Sequence, residues 1–138
     1  MTQPLLLDTC AIIWMGEDEP LADEAVVALD MASDRGQRVR LSPISAWEIG
    51  MLAFKGRFAS PLQPESWFNR FLTGGNFLLS DLMPDVLIAS SFLPGVPPSD
   101  PIDRIIIATA RQHDLTLVTR DRKIIEYGEA GHVSVLKC

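Results

Sequence analysis

The sequence predicts an α/β fold of three layers, α/β/α, with a mainly parallel central sheet of roughly five strands. Two observations carry this. Short apolar runs that read as strands alternate along the chain with stretches of helical spacing. Such alternation implies parallel strands with helices packed on both faces of the sheet. The 138 residues fit one domain, 1–138, and leave no room for a second; 47% of them are apolar, enough for a core.

Leu5-Leu6-Leu7 runs straight into Asp8. A short, uninterrupted apolar run reads as a strand buried on both faces, so Asp8 sits where the chain leaves the sheet. In open parallel sheets ligands bind outside the carboxyl ends of the strands, where strand order reverses. Asp8 is therefore a candidate site residue, and it also suits the N-cap of a helix over 9–15. A second helix over 20–33 places Leu21, Ala25, Val26, Leu29 and Ala32 on one face, with Asp23 and Glu24 early, where the helix dipole favours acids. A short strand follows at 39–41.

Ser42-Pro43 opens the next helix, Ser42 as N-cap and Pro43 at the first helical position, and Lys55-Gly56 stops it. A second reading starts that helix at Ser45 and makes Ser45-Ala46-Trp47-Glu48 a capping box. An amphipathic helix over 64–72 carries Trp67, Phe68 and Phe71 and breaks at Gly74-Gly75. A strand at 76–80 and a helix over 83–92 come next. Pro94 to Pro98 is loop. Asp100 suits an N-cap and Pro101 the first position of a helix that reaches His113. Residues 115–119 form a fourth strand, 124–127 a turn or two of helix, and 133–136 the last strand.

Four acids fall at matching places. Asp8 and Asp121 each follow a strand, Asp103 is in the first turn of a helix, and Glu48 is on a helix that follows a strand. In a parallel sheet these places cluster at one edge. Two carboxylates ~4 Å apart repel by about 4 kcal/mol at an intermediate dielectric. A converging set therefore needs protons or cations. Oxygen-only ligands suit Mg²⁺ or Mn²⁺ and not structural zinc, and such a site suits phosphodiester hydrolysis. His113 and His132 have no partners at metal-binding spacing and read as surface residues. Cys10 reads as a small buried residue.

The net charge of −6 and pI near 4.8 argue against a general nucleic-acid binder held by phosphate contacts alone. They leave a metal-dependent nuclease open, because bound cations neutralise its carboxylates. Cys10 and Cys138 make no disulfide framework. No apolar run approaches the ~20 residues that span a bilayer, and no basic segment precedes the first one. The expectation is a cytoplasmic chain with free thiols and no membrane association. Arg120, Arg122 and Lys123 beside Asp121, and Lys55 and Arg57 after the Glu48 helix, are candidates for phosphate contacts.

Four stretches together resemble a known family: Leu5-Leu6-Leu7-Asp8-Thr9; Ser45-Ala46-Trp47-Glu48-Ile49 with Lys55-Gly56; Asp100-Pro101-Ile102-Asp103-Arg104 through Ala110; and Leu117-Val118-Thr119-Arg120-Asp121. In this order they resemble the PIN-domain ribonucleases, and within them the VapC-type toxins of toxin–antitoxin pairs. The resemblance implies that Asp8, Glu48, Asp103 and Asp121 are the acidic, metal-binding catalytic set. It implies that Thr119 and Thr9 hold metal-bound water or a neighbouring carboxylate. It further implies Mg²⁺- or Mn²⁺-dependent cleavage of an RNA substrate, a homodimer, and a cognate antitoxin protein that blocks the acidic site. Asp100 is an additional acid, read as a helix cap first and a ligand second. Arg104 is read as holding a carboxylate or touching RNA.

The main alternative is a catalytically inactive PIN-like interaction module that binds a protein or RNA partner; the intact acidic set argues against it. A phosphatase of the haloacid dehalogenase type needs a second Asp two positions after the first, where this chain has Cys10. Cleavage of DNA in place of RNA stays open. Among the aromatics, Trp14, Trp47, Trp67, Phe68 and Phe71 are expected mostly in the core, with part of the 67–71 face open to a dimer or antitoxin contact.

Overall fold

The computed structural model describes residues 3–138. Its sheet is built around β1 (Leu5–Leu7), whose three leucines are all buried. Neighbouring leucines point to opposite faces of a strand. Leu5 and Leu7 accordingly join one apolar cluster and Leu6 the other. That is why the run shows no polar alternation: the strand has helices on both sides.

The remaining strands are β2 (Arg40–Leu41), β3 (Leu78–Leu79), β4 (Thr116–Thr119) and β5 (Ser134–Lys137). They lie in the order β3-β2-β1-β4-β5 with every neighbouring pair parallel. The chain steps outward from β1 to β2 and β3, then returns to lay β4 on the other side of β1. The order therefore reverses between β1 and β4, and Leu7 pairs with Val118 in that seam. Asp8 and Thr119 are the next residues on each strand.

The helices are α1 (Thr9–Gly16), α2 (Asp23–Asp34), α3 (Pro43–Phe54), α4 (Pro64–Gly74), α5 (Pro84–Ala89), α6 (Pro101–Gln112) and α7 (Arg122–Glu129). Ala11 and Ile12 of α1, Ala25 and Ala32 of α2, Ile49 of α3 and Phe68 of α4 pack with Leu5, Leu7 and Val118. Ile106, Ile107 and Ala110 of α6, with Ile124 and Tyr127 of α7, pack with Leu6 and Leu117. These two clusters, one on each side of the sheet, make the three layers that the alternating pattern predicted.

Most boundaries agree with the sequence reading, and the exceptions have local causes. Helix α2 begins at Asp23, after an Ala22 N-cap that makes no side-chain hydrogen bond, so Leu21 lies before it. The Ser45 start of α3 is not used: Ser42 accepts from the Ile44 N–H (3.2 Å) and Pro43 takes the first position. Helix α5 covers only part of 83–92, because Ser91 and Phe92 bond back three residues to Ile88 and Ala89 and tighten the chain into a turn. Strand β3 is shorter than 76–80, since Asn76 adopts a positive φ of 54°. Helix α7 is longer than 124–127 because Asp121 caps it, so that it starts two residues earlier, at Arg122. Gly56, with φ 71°, follows the Lys55 C-cap and lets the Arg57 N–H reach the Leu52 carbonyl (2.8 Å).

The aromatic residues also divide. Phe68 is buried, and Trp67 stacks on Phe71 (centroids 5.6 Å), which stacks on Phe77 (4.8 Å), with Phe58 edge-on to Trp67. This ladder faces its own chain, so the expected partner surface on 67–71 is turned inward. Trp47 departs from the core expectation and is 55% exposed. Among the described residues no helix is long and apolar enough to cross a membrane.

Leu6 is fully buried at the centre of the central strand. Leu6→Ala removes a side chain that the flanking elements cannot collapse around, and is expected to cost about 2–5 kcal/mol. Urea unfolding checks it: the midpoint falls while the slope stays that of the wild type.

Candidate active site

Three helices that leave the sheet edge begin on an aspartate. Asp8 caps α1, accepting from the Ala11 N–H at 2.7 Å. Asp100 caps α6, its Oδ1 accepting from Ile102 (2.8 Å) and Asp103 (3.1 Å). Asp121 caps α7, its Oδ1 accepting from Lys123 (2.8 Å) and Ile124 (3.3 Å). Each cap satisfies helix N–H groups that have no partner within the helix. At Asp100 and Asp121 both bonds go to one oxygen, which leaves the other for different work.

Asp8 is buried, with 3% of its surface exposed. Its Oδ2 accepts from the Thr119 hydroxyl, and the same hydroxyl oxygen accepts from the Asp121 N–H at 3.0 Å. Thr119 thus ties the ends of β1 and β4 together and sets where Asp121 stands. Two hydrogen bonds would ordinarily pull a carboxyl pKa down. Here burial outweighs them, aided by the charges of Asp121 and Glu48, and Asp8 is pushed up to about 6.

Asp103, half-buried in the first turn of α6, is pushed up to about 7. Burial is again the largest cause, followed by the charges of Asp100, Asp121, Glu48 and Asp8. Glu48 is half-buried on α3. The four predicted acids therefore lie in one electrostatic neighbourhood: Asp103 responds to Asp121, Glu48 and Asp8, and Asp8 responds to Asp121 and Glu48. They do not close on a single point: among the described residues no three His, Cys, Asp or Glu side chains form a group ready to hold a metal ion. The donor set still fits a hard divalent cation in kind. It offers only carboxylate oxygens, and it is crowded with like charge.

The supporting residues sort differently from the expectation. Thr119 holds a carboxylate, as expected. Thr9 does not: its buried hydroxyl donates to the Ser45 hydroxyl at 2.9 Å, clamping α1 to α3 one helical turn before Glu48. Arg104 donates through its Nε to the Ser90 carbonyl (3.2 Å) and fastens α6 to the end of α5. Asp100 is a cap, as read first, and also the nearest-acting acid on Asp103.

Cys10 corrects another expectation, for the residue is exposed. Its thiol is pushed up to about 12, by desolvation first and then by Asp8, Glu48, Asp121 and Asp103. A thiol so raised stays protonated near neutrality and is a poor nucleophile. His113 is exposed; His132 is half-buried and lies against the Tyr127 ring at 4.8 Å.

Sequence reasoning missed two partners. Ser45 is legible only as an alternative cap, because its partner lies 36 residues away. Trp14 carries the Arg120 guanidinium over its ring, 3.7 Å from the centroid, and nothing in the spacing of the two residues announces it.

Comparison with known proteins gives concordant results. The family model of the PIN domain matches residues 5–130. The chain is 30% identical over 135 residues to Ribonuclease VapC22 of Mycobacterium tuberculosis, covering 98% of this chain and 99% of the relative. The fold is shared with a chain of VapBC2 from Rickettsia felis, solved bound to a DNA fragment from its promoter: TM-score 0.69, 18% identity, 96% of this chain and 97% of the other. It is shared also with a chain of FitAcB from Neisseria gonorrhoeae: TM-score 0.53, 22% identity, 96% of both.

The raised carboxyls fix a pH dependence. Asp8 and Asp103 hold their protons more tightly in the folded chain than at the ordinary value of 3.8. Folding therefore takes up protons between pH 3.8 and about 6 to 7, and this contribution is lost as pH rises through that window. Asp8 accounts for at most about 3 kcal/mol. In thermal melts with EDTA, the wild type is expected to lose stability relative to Asp8→Asn as pH rises from ~4 to ~8. A difference that does not vary with pH would show that burial leaves Asp8 unperturbed.

Proposed function

The chain belongs to the PIN-domain family, and on that premise we propose that it is a metal-dependent endoribonuclease, the toxin of a toxin–antitoxin pair. The observation that carries this reading is the pair of raised carboxyls, Asp8 and Asp103, sharing one field with Glu48 and Asp121 beside the reversal of strand order. The ribonuclease relative, 30% identical across the full chain, supports the same reaction.

The proposed ligands are Asp8, Glu48, Asp103 and Asp121, with Mg²⁺ or Mn²⁺ as the cation. The chemistry such a cation supplies is activation of water and neutralisation of charge at a phosphodiester. The protein's own part is positional. Thr119 and the Ala11 N–H each occupy one lone pair of Asp8 and fix its plane, and each oxygen keeps a second lone pair for a ligand. Asp121 and Asp100 have one oxygen bound to helix N–H groups, which leaves the other for a ligand. Thr9 and Ser45 hold α1 against α3 and so set the position of Glu48. Hydrolysis then joins the oxygen of water to phosphorus, breaks one P–O bond, and returns a proton to the leaving alcohol.

The partners that follow are an RNA substrate, a second copy of the chain, and a cognate antitoxin protein that blocks the acidic site, in the cytoplasm. The likeness to VapBC2 supports the antitoxin. Exposed Leu79, Met83, Ile88 and Phe92, on β3 and around α5, support a face covered by protein. The alternative, an inactive interaction module, shares the fold but gives no reason for four acids in one field.

Cleavage of a mixed RNA pool, followed on gels with Mg²⁺, Mn²⁺ or EDTA, tests the proposal. The wild type should cut only with metal. Asp8→Asn and Asp103→Asn should each lower the rate by about 100-fold or more, the scale of losing one electrostatic contact to the transition state. Mn²⁺ at neutral pH should also raise the melting temperature of the wild type by mass action, and do so less in Asp103→Asn. Metal-independent cutting, or cutting that survives both substitutions, would remove the acidic site from the reaction. If no RNA is cut, growth arrest on expression, relieved by Asp8→Asn, separates a missing substrate from an inactive module.

A further inference from the structure

We propose that Arg120, seated on Trp14, is a phosphate-binding residue that holds the RNA backbone against the acidic edge of the sheet. The inference deepens the nuclease reading and rests on its nucleic-acid substrate.

The position comes first. Arg120 stands between Thr119, which holds Asp8, and Asp121, which caps α7. Its backbone is therefore set by the last residue of β4 and the N-cap of α7. Its guanidinium carbon lies 3.7 Å from the centre of the Trp14 ring. Trp14 is anchored in turn, its Nε1 donating to the Pro20 carbonyl at 2.8 Å, and it rides on α1, the helix that starts from Asp8. Both members of the pair thus hang from elements that leave the β1–β4 seam.

The second observation is what Arg120 leaves undone. The chain has 18 acids against 12 basic residues. Other arginines engage their own chain. Arg38 donates to the carbonyls of Asn76 and Phe77, Arg104 to that of Ser90, Arg111 to that of His132, and Arg122 pairs with Glu126 at 3.6 Å. Arg120 is exposed and, among the described residues, makes no hydrogen bond and no ion pair. It rests on an aromatic face, which restrains the guanidinium without occupying its N–H groups.

Those N–H groups form a planar fork that matches phosphate oxygens two at a time. An acidic chain needs such a cation beside its site if a polyanion is to approach. Of the residues flanking Asp121, Arg122 is drawn to Glu126 and Lys123 is a flexible point charge. Arg120 alone is both held in place and unoccupied among the described residues.

The test measures binding of a fluorescein-labelled, mixed-sequence single-stranded RNA by anisotropy across a salt titration. It uses the full chain carrying Asp103→Asn, with Mg²⁺ present. Adding Arg120→Gln should weaken binding by about tenfold. It should also reduce the slope of log affinity against log salt by about 0.7, the signature of one lost phosphate contact on a single strand. Arg120→Lys should keep the slope and recover part of the affinity. Trp14→Leu should weaken binding with the slope retained, because the cation remains and only its seating is lost. Thermal melts of each variant report the fold, and the Arg120 variants, altered at an exposed side chain, carry the test if Trp14→Leu unfolds. Unchanged affinity and slope in Arg120→Gln would overturn the clamp while leaving RNA cleavage by the wild type intact. Binding that depends on Arg120, with no cleavage by the wild type and no growth arrest on its expression, would keep the clamp and sink the nuclease. No binding of RNA at all would overturn both.

Discussion

The hydrogen bond from Thr119 to Asp8 is the contact on which the rest of the edge depends. It ties the ends of β1 and β4 just past their paired register, at the seam where strand order reverses. Two of the four site acids hang from that seam: α1 starts from Asp8, and Arg120, Asp121 and α7 follow Thr119. The hydroxyl is saturated on both sides, donating to Asp8 and accepting from the Asp121 N–H. A valine there would pack equally well and leave Asp8 Oδ2 and the Asp121 N–H without partners, at a cost of about 1–3 kcal/mol for each. Threonine at the end of a β-strand thus does what its branched shape and its hydroxyl allow together.

Capping and ligand duty are not rival explanations of the aspartates at this edge. A helix N-terminus offers free N–H groups and a positive dipole end, worth about 0.3–1 kcal/mol to a nearby anion and ~2 in partly buried settings. That favours the ionised form. Asp8 is nonetheless pushed up to about 6, which corresponds to about 3 kcal/mol in the other direction. Burial and like charge therefore exceed what the dipole and two hydrogen bonds return. The N-cap role and the raised carboxyl therefore coexist in one residue.

The fold was legible because its signals are local. Leu5-Leu6-Leu7, Ser42-Pro43 and Asp100-Pro101 each state their structure within a few residues, and all three behave as read. The four acids were legible as a set because a parallel sheet brings strand ends together wherever they occur in sequence. What was not legible depends on pairs distant in sequence. Thr9 finds Ser45, Arg104 finds the Ser90 carbonyl, and Arg120 finds Trp14. A single sequence names one member of each pair and is silent about the other. Cys10 failed for a different reason. It follows a buried run, but the first turn of α1 rotates it away from the core that Ala11 and Ile12 fill.

The two threonines show how the edge separates holding from binding. Thr9 and Thr119 each follow or flank a site aspartate, and both are buried. Thr119 faces Asp8 because it lies across the strand seam in register. Thr9, one residue beyond Asp8, already belongs to a helix, and the helical turn carries its hydroxyl to α3. Glu48 sits three residues after Ser45, so it lies on the same side of α3 as the hydroxyl that Thr9 grips. One residue of backbone displacement thus converts an expected ligand neighbour into the bolt that positions the only site acid not borne on a strand end or a helix start.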